Sequence, residues 1–318
     1  MEVFPTTFKL FITGFIMDKR YNTLSAHLRE RYGGKIGKIC IDGGFSCPNR
    51  DGTCGVGGCI FCGERGAGEH IVPAAIDEQV RSYLASPRSA KYDGYIAYFQ
   101  NFTNTYAAPD TLRERYTAAL IDPRIRILAV GTRPDCIDEP RADVLAEFST
   151  CVDSVFCELG LQTASDATAE YINRGWKTPR FAEAVETLHA RGIEVIAHII
   201  IGLPGEGERE LYETIRLINS LPVSGVKIHS LYVMRGTRLC DIYERGEYTP
   251  ISEAEYVRLA ARSVSWLRPD IIIHRITGDC PRDLLAAPLW NTRKSEVIRE
   301  IDEYLEVHGL YQGSECIT

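Results

Sequence analysis

Short β-branched runs alternate with longer amphipathic stretches along most of this chain, and no other feature narrows its fold as far. Such runs, each followed by a segment of helical length, read as repeated strand–helix units around a parallel sheet, because parallel neighbours need a long crossover. Strands are predicted at residues 38–43, 95–100, 125–131, 154–161, 194–201 and 225–233, with a seventh candidate, IIIHRI, at 271–276. A helix at 179–191 places Ala182, Val185 and Leu188 on one face and stops at Gly192. Another, at 253–267, is closed by Pro269.

Polar residues and glycines follow the strands directly, as GGFSC, FQNFTNT, GTRPD, GLQT and GLPGE. Open α/β sheets and α/β barrels both build their sites at that end, and the pattern alone does not choose between them. With no repeat, low-complexity tract or long linker, the chain reads as one core domain, 18–283. An N-terminal extension, 1–17, precedes it, and a C-terminal helical extension, 284–318, is expected to pack on it. The apolar run at 8–17 is too short to span a bilayer, follows Glu2 and lacks a small-residue cleavage site. A cytoplasmic protein with no membrane partner is expected. Because the organised pattern begins at Asp18, translation is expected to start at Met17, which finding Met1 or Glu2 by N-terminal mass spectrometry would refute.

Five of the eleven cysteines fall between Cys40 and Cys62, and such a burst points to metal rather than to disulfides. The segment CPNRDGTCGVGGCIFC, 47–62, follows the first strand, and its glycines let the backbone wrap tightly. With Cys47, Cys59 and Cys62 as ligands, three thiolates on a four-iron cluster leave one iron open to a substrate-like molecule. On this segment alone, a structural zinc site with Cys54 as a fourth thiolate competes with that reading.

The motifs RYNTL (20–24), DGGFSCPNRDGTCGVGGCIFC (42–62), YFQNFTNTYA (98–107), GTRPDC (131–136), ELGLQT (158–163), HIIIGLPGE (198–206) and KIHSLYVMRGT (227–237) occur in this order. From about residue 19 to residue 278 the chain resembles the radical S-adenosylmethionine (SAM) family that includes YhcC and YtqA, a branch similar to the catalytic subunit of Elongator. The resemblance implies a partial (β/α)6 TIM-like barrel, one 4Fe-4S cluster on Cys47, Cys59 and Cys62, and reductive cleavage of SAM to a 5'-deoxyadenosyl radical. It also implies an external one-electron reductant of flavodoxin or ferredoxin type. Cys54 departs from the pattern and leaves open a fourth, displaceable ligand.

SAM needs partners at the strand ends. Phe61 is placed against adenine or, alternatively, in the core. Gln100, Thr103 and Asn104 stand where similar enzymes contact the methionine amine, and turn chemistry is their plainer role. Glu158 and Gln162 flank the fourth strand's end, where a carboxylate suits a ribose diol. Arg174 resembles the arginine that grips the SAM carboxylate, with a surface ion pair as its alternative. Gly202 and Gly205 in GLPGE would let the backbone approach adenine. Arg133, Asp135, Cys136, His198, Lys227, His229, Arg275 and Asp279 are expected to face the mouth. Cys136 is the candidate catalytic thiol, able to return a hydrogen atom, and a merely buried thiol is the alternative.

By resemblance the substrate is the wobble uridine of tRNA; the same chemistry on a small metabolite or protein, and a zinc-stabilised binding module, are the competing readings. Thirty-six basic against 43 acidic residues, a formal charge of -7, provide no global field for nucleic acid. A local patch of Arg133, Arg174, Lys177, Arg235, Arg238 and Arg275 stays open beside the plainer reading of ion pairs and solvated faces.

Overall fold

The computed structural model describes residues 11–12, 15–16, 19–66, 71, 74–278 and 280–317. Most of the N-terminal extension, including Met17, and the side chain and backbone of Asp279 therefore lie outside the described residues. Seven parallel strands form one sheet: β1 Ile36–Ile41, β2 Gly94–Phe99, β3 Ile125–Thr132, β4 Ser154–Gln162, β5 Glu194–Ile201, β6 Gly225–Ser230 and β7 Ile272–Arg275. They lie in strict sequence order, each paired with its predecessor, so every step is a strand–helix–strand crossover. Helix α1, Leu24–Tyr32, precedes β1. The first five crossovers carry α2 Ile76–Ala85, α3 Pro109–Ala119, α4 Glu139–Glu147, the pair α5 Asp166–Tyr171 and α6 Pro179–His189, and α7 Glu208–Asn219. Between β6 and β7 lie α8 Arg238–Glu244 and α9 Glu253–Trp266, and α10 Lys294–Val307 follows.

The seven strands curl into a partial barrel, the fold expected, with the candidate at 271–276 supplying the strand beyond the sixth. Among the described residues no ladder joins β1 to β7. Instead the amide of Ile273 donates to the carbonyl of Asn22 at 2.8 Å, and α1 packs Leu28 into the barrel's lower interior.

Side-chain alternation along each strand divides the two faces. On β2, Tyr95, Ala97 and Phe99 enter the large outer core against the helices, whereas Ile96 and Tyr98 point inward. On β4, Val155, Cys157, Leu159 and Leu161 face the helices, so Phe156, Glu158, Gly160 and Gln162 share the inner face. The lower interior is apolar, with Ile96, Ile127, Phe156 and Ile196 beside Leu28.

One predicted strand is shorter than expected: 225–233 breaks after Ser230, where the amide of Leu231 turns to the carbonyl of Ile201 at 2.9 Å. Val233–Met234 then pairs antiparallel with Leu285–Ala287, so the segment after residue 284 opens with a strand. Its helix α10 buries Val297, Ile301 and Leu305 in the same core as Val264 of α9. The helix predicted at 253–267 starts on a Ser252 side chain that accepts from the Glu255 amide, and it ends with Leu267 already extended. The predicted stop of α6 also holds, with Gly192 at φ +70°.

Candidate active site

A cavity of about 280 Å³ opens at the C-terminal ends of the strands. Cys47, Cys59 and Cys62 line it, whereas Cys54 faces solvent outside it. The loop carrying them is held by three devices. The Arg50 guanidinium donates to the carbonyls of Cys62 at 3.0 Å and Glu64 at 3.1 Å, and also to that of Gly63. The Asn49 carbonyl accepts from the Gly58 amide at 2.8 Å, while the Asn49 side-chain amide reaches the carbonyl of Asn173 at 2.6 Å and the Cys59 sulfur at 3.9 Å. Between the last two cysteines, Ile60 is buried in a second apolar cluster with Ile172, Leu203 and Leu239, its amide bonded to the Ile172 carbonyl at 3.1 Å. Gly55 admits this arrangement, since a Cβ there would stand 2.2 Å from Oδ1 of Asn49.

The donor set fits an iron–sulfur cluster. Burial first, then the Cys62 thiol, pushes the Cys59 thiol up to about 12 against the pull of Arg133, and a bound metal would hold it as thiolate. Among the described residues no three His, Cys, Asp or Glu side chains are gathered closely enough for a single metal ion, and the fourth thiol of the zinc alternative, Cys54, points away.

Around the cysteines, Phe61, Gln100, Thr103, Glu158, Gln162 and Arg174 line the same cavity. Thr103 is buried and its Oγ1 has no partner among the described residues, which leaves a hydroxyl on the cavity wall for a ligand to satisfy. Gln162 has φ +63°, and a Cβ on Gly160 would lie 2.5 Å from its Nε2, so the glycine makes room for the amide as it folds back at a bulge in the β4–β5 ladder. Phe61 lines the cavity and also packs on the second apolar cluster, so its two alternatives coexist.

Several expected residues stand elsewhere. Asn104 is wholly buried and donates to the carbonyls of Phe99 at 3.1 Å and Gly131 at 2.7 Å, which makes it the tie between β2 and β3. Gly202 and Gly205 lie outside the lining; both have positive φ, and the Gly202 carbonyl accepts from Tyr248 at 2.8 Å. Cys136 is buried outside the lining too, and burial pushes its thiol up to about 12. Arg174 reaches the cavity wall, but its guanidinium is directed at protein acceptors: the carbonyls of Trp176 at 3.2 Å, Leu161 at 2.7 Å and Thr163 at 2.6 Å, with Thr178 and Asp166 beyond. It lies 3.6 Å over the Trp176 ring and supports the loop after β4. Arg133 also lines the cavity, where its Nε and Nη2 fork onto Asp135 at 2.9 and 2.8 Å, and no bond to a described residue uses Nη1.

Deeper in the barrel, Glu158 is almost wholly buried. Its Oε2 accepts from Nε2 of His198 at 2.9 Å and from the Lys227 ammonium, which also reaches the Tyr98 hydroxyl at 3.3 Å. Burial opposes ionisation of Glu158, but the Lys227 charge and the His198 bond outweigh it and hold the carboxyl well below its ordinary range. Burial lowers Lys227 to about 7 despite Glu158, and lowers His198 to about 4. Tyr98, Phe102 and Trp176 of the lining were not among the expected site residues. Tyr98 was within reach of strand periodicity, standing two residues before Gln100 on the same face.

The family profile described as the radical SAM superfamily matches residues 50–218, and the radical SAM C-terminal domain profile matches 223–307. The chain is 41% identical over 300 residues to protein YtqA of Bacillus subtilis, covering 93% of this chain and 92% of that one. To protein YhcC of Escherichia coli it is 38% identical over 299 residues, covering 94% and 96%. A tRNA uridine(34) acetyltransferase of Methanocaldococcus jannaschii is 26% identical over 186 residues, covering 58% of this chain and 33% of that protein. Among solved structures, the archaeal Methanocaldococcus infernus Elp3 with an N-terminal deletion superposes with a TM-score of 0.67 at 18% identity, covering 87% of this chain and 64% of that one, which supports the fold. The chain belongs to the radical SAM superfamily and is a radical SAM enzyme, of a kind that works with a 4Fe-4S cluster and SAM.

Proposed function

We propose that Cys47, Cys59 and Cys62 hold the cluster and that the enzyme acts on the wobble uridine of tRNA. The observation carrying the first part is that these three thiols are the cysteines on the wall of the cavity, a wall they share with a buried Thr103 hydroxyl that has no partner among the described residues. When bound, the cluster and SAM supply one electron and a carbon-centred radical able to take hydrogen from an unreactive carbon.

The chain's own residues bind and orient. Asn49 and Arg50 fix the cysteine loop, Gln100 and Thr103 offer polar groups to the methionine end of SAM, and Gln162 reaches toward its ribose. Phe61 offers an apolar surface for adenine. With Arg174 occupied by backbone carbonyls, the open edge of Arg133 takes the place expected for the carboxylate partner. Glu158, tied to Lys227 and His198, sets the polar layer beneath instead of reaching a ribose. The electron would come from a donor of flavodoxin or ferredoxin type.

The tRNA reading is supported by the likeness to a protein named for uridine 34 of tRNA. Anaerobically reconstituted protein given SAM and dithionite should release 5'-deoxyadenosine, and bulk tRNA from a deletion strain should raise that release. Absence of release overturns the cluster assignment. An unchanged wobble-nucleoside profile between deletion and parent strains overturns the tRNA assignment.

A further inference from the structure

Halfway down the barrel, charge is out of balance. Lys227 of β6 and Lys38 of β1 act on one carboxylate, Glu158 of β4, and Arg275 of β7 adds a third positive charge level with Lys227, although the chain as a whole is acidic. Strand register sets Arg275 beside Lys227, and Lys227 beside His198. The ammonium groups of Lys38 and Lys227 lie 4.6 and 4.5 Å from the centre of the Tyr98 ring. Lys227 is satisfied by Glu158 and the Tyr98 hydroxyl. Half-buried Arg275 has no hydrogen bond or ion pair to any described residue. His229, whose ring stands 5.4 Å from that of His198, lines the cavity with a buried Nε2 that has no partner among the described residues.

A buried imidazole nitrogen on the cavity wall has no partner among the described residues, and on the adjoining strand, level with Lys227, stands a half-buried guanidinium with none either; an anion would satisfy both. We propose that this layer receives an anionic group of the substrate, a carboxylate or a phosphate, with Arg275 and Nε2 of His229 as its direct partners and Lys227 and Lys38 supplying the field. This rests on the reading of the cavity as the place where the radical meets substrate: a group anchored in the middle layer would hold its neighbouring carbons up toward the cysteine rim. Burial keeps His229 and His198 neutral, so the attraction would come from the two lysines and the arginine.

The reconstituted enzyme should be titrated calorimetrically with sodium acetate and with sodium phosphate, chloride balancing ionic strength. Binding of either anion more tightly than chloride is expected, with acetate preferred if the group is a carboxylate and phosphate preferred if it is a phosphate. Arg275→Gln should weaken the preferred anion at least about tenfold, and Arg275→Lys should recover part of the loss because it keeps the charge without the fork. Equal binding by wild type and Arg275→Gln, or no binding beyond chloride by the wild type, overturns the proposal. Should Arg275→Gln fail to fold, His229→Gln serves in its place, with a smaller weakening expected. 5'-Deoxyadenosine release by the wild type needs no added anion, so release without anion binding rejects this site alone. Anion binding without release rejects the functional reading on which it rests.

Discussion

The rim and the middle layer of the barrel are built by opposite means. At the rim, most polar groups are held by backbone carbonyls, many of them close in sequence: Arg50 ties the loop containing Cys47, Cys59 and Cys62, and Arg174 spends itself on carbonyls within thirteen positions, while Asn49 reaches across to the carbonyl of Asn173. In the middle layer, the groups come from strands far apart in sequence, and Glu158 meets a lysine 69 residues away and a histidine 40 residues away. A rim of this kind can be replaced in pieces, whereas the layer behaves as one unit, because removing one charge strands another where water cannot reach it.

The largest effect should fall on the rim's chemistry. Cys59→Ala is expected to lose the cluster and reduce 5'-deoxyadenosine release to background, while thermal unfolding shifts little. Iron content per chain and product chromatography check this. Retention of iron and activity would show that the rim does not hold the cluster through Cys59.

The largest effect on stability should fall in the layer. Glu158→Gln leaves the Lys227 ammonium buried without its anion and should cost about 3–5 kcal/mol in urea unfolding, reduced to the extent that Lys227 gives up its proton. The double variant Glu158→Gln with Lys227→Met removes both charges and should regain most of that loss. Additive losses would show that the two groups do not act as a pair.

This contrast also governs what could be read from sequence. The cysteine loop, the strand order and most strand-end motifs were legible because each is contiguous and sits at a fixed offset from a periodic run. The strand pattern likewise put Glu158 and Gln162 at the end of the fourth strand. The partners of those residues were not legible. Nothing local to Lys227 announces Glu158, nothing in INRGW says that Arg174 turns to the carbonyls of Leu161 and Thr163, and the ribbon joining Val233–Met234 to Leu285–Ala287 links segments about fifty positions apart. Nor does the motif around Asn104 say that its side-chain amide ties β2 to β3 through the carbonyls of Phe99 and Gly131.

A smaller effect should appear on acidification. Burial holds His198 near 4 in the folded chain, against about 6.5 when unfolded, so between those values the unfolded state binds more protons. Stability is therefore full above about pH 6.5 and declines as pH falls toward 4, with His198 accounting for about 2 kcal/mol of the decline. His229 and His274, also lowered by burial, add to it. Urea midpoints measured from pH 7 to pH 4.5 should fall less steeply in His198→Gln. An unchanged slope would mean that this ring is not desolvated as the layer requires.

The smallest effect is expected at Cys54. It lies within the same sixteen-residue segment as the three rim thiols, so on that segment alone it competes as a fourth ligand. Its side chain is exposed and away from the cavity, although its amide is fastened to the Pro48 carbonyl at 2.8 Å. The backbone bond survives a change of side chain, and an exposed thiol contributes little packing. Cys54→Ser should therefore leave iron content, 5'-deoxyadenosine release and the unfolding midpoint within about 0.5 kcal/mol of wild type. A loss of iron matching that of Cys59→Ala would instead make the centre a four-thiolate site, closing the open iron on which SAM cleavage depends and erasing the difference between an exposed loop cysteine and the rim.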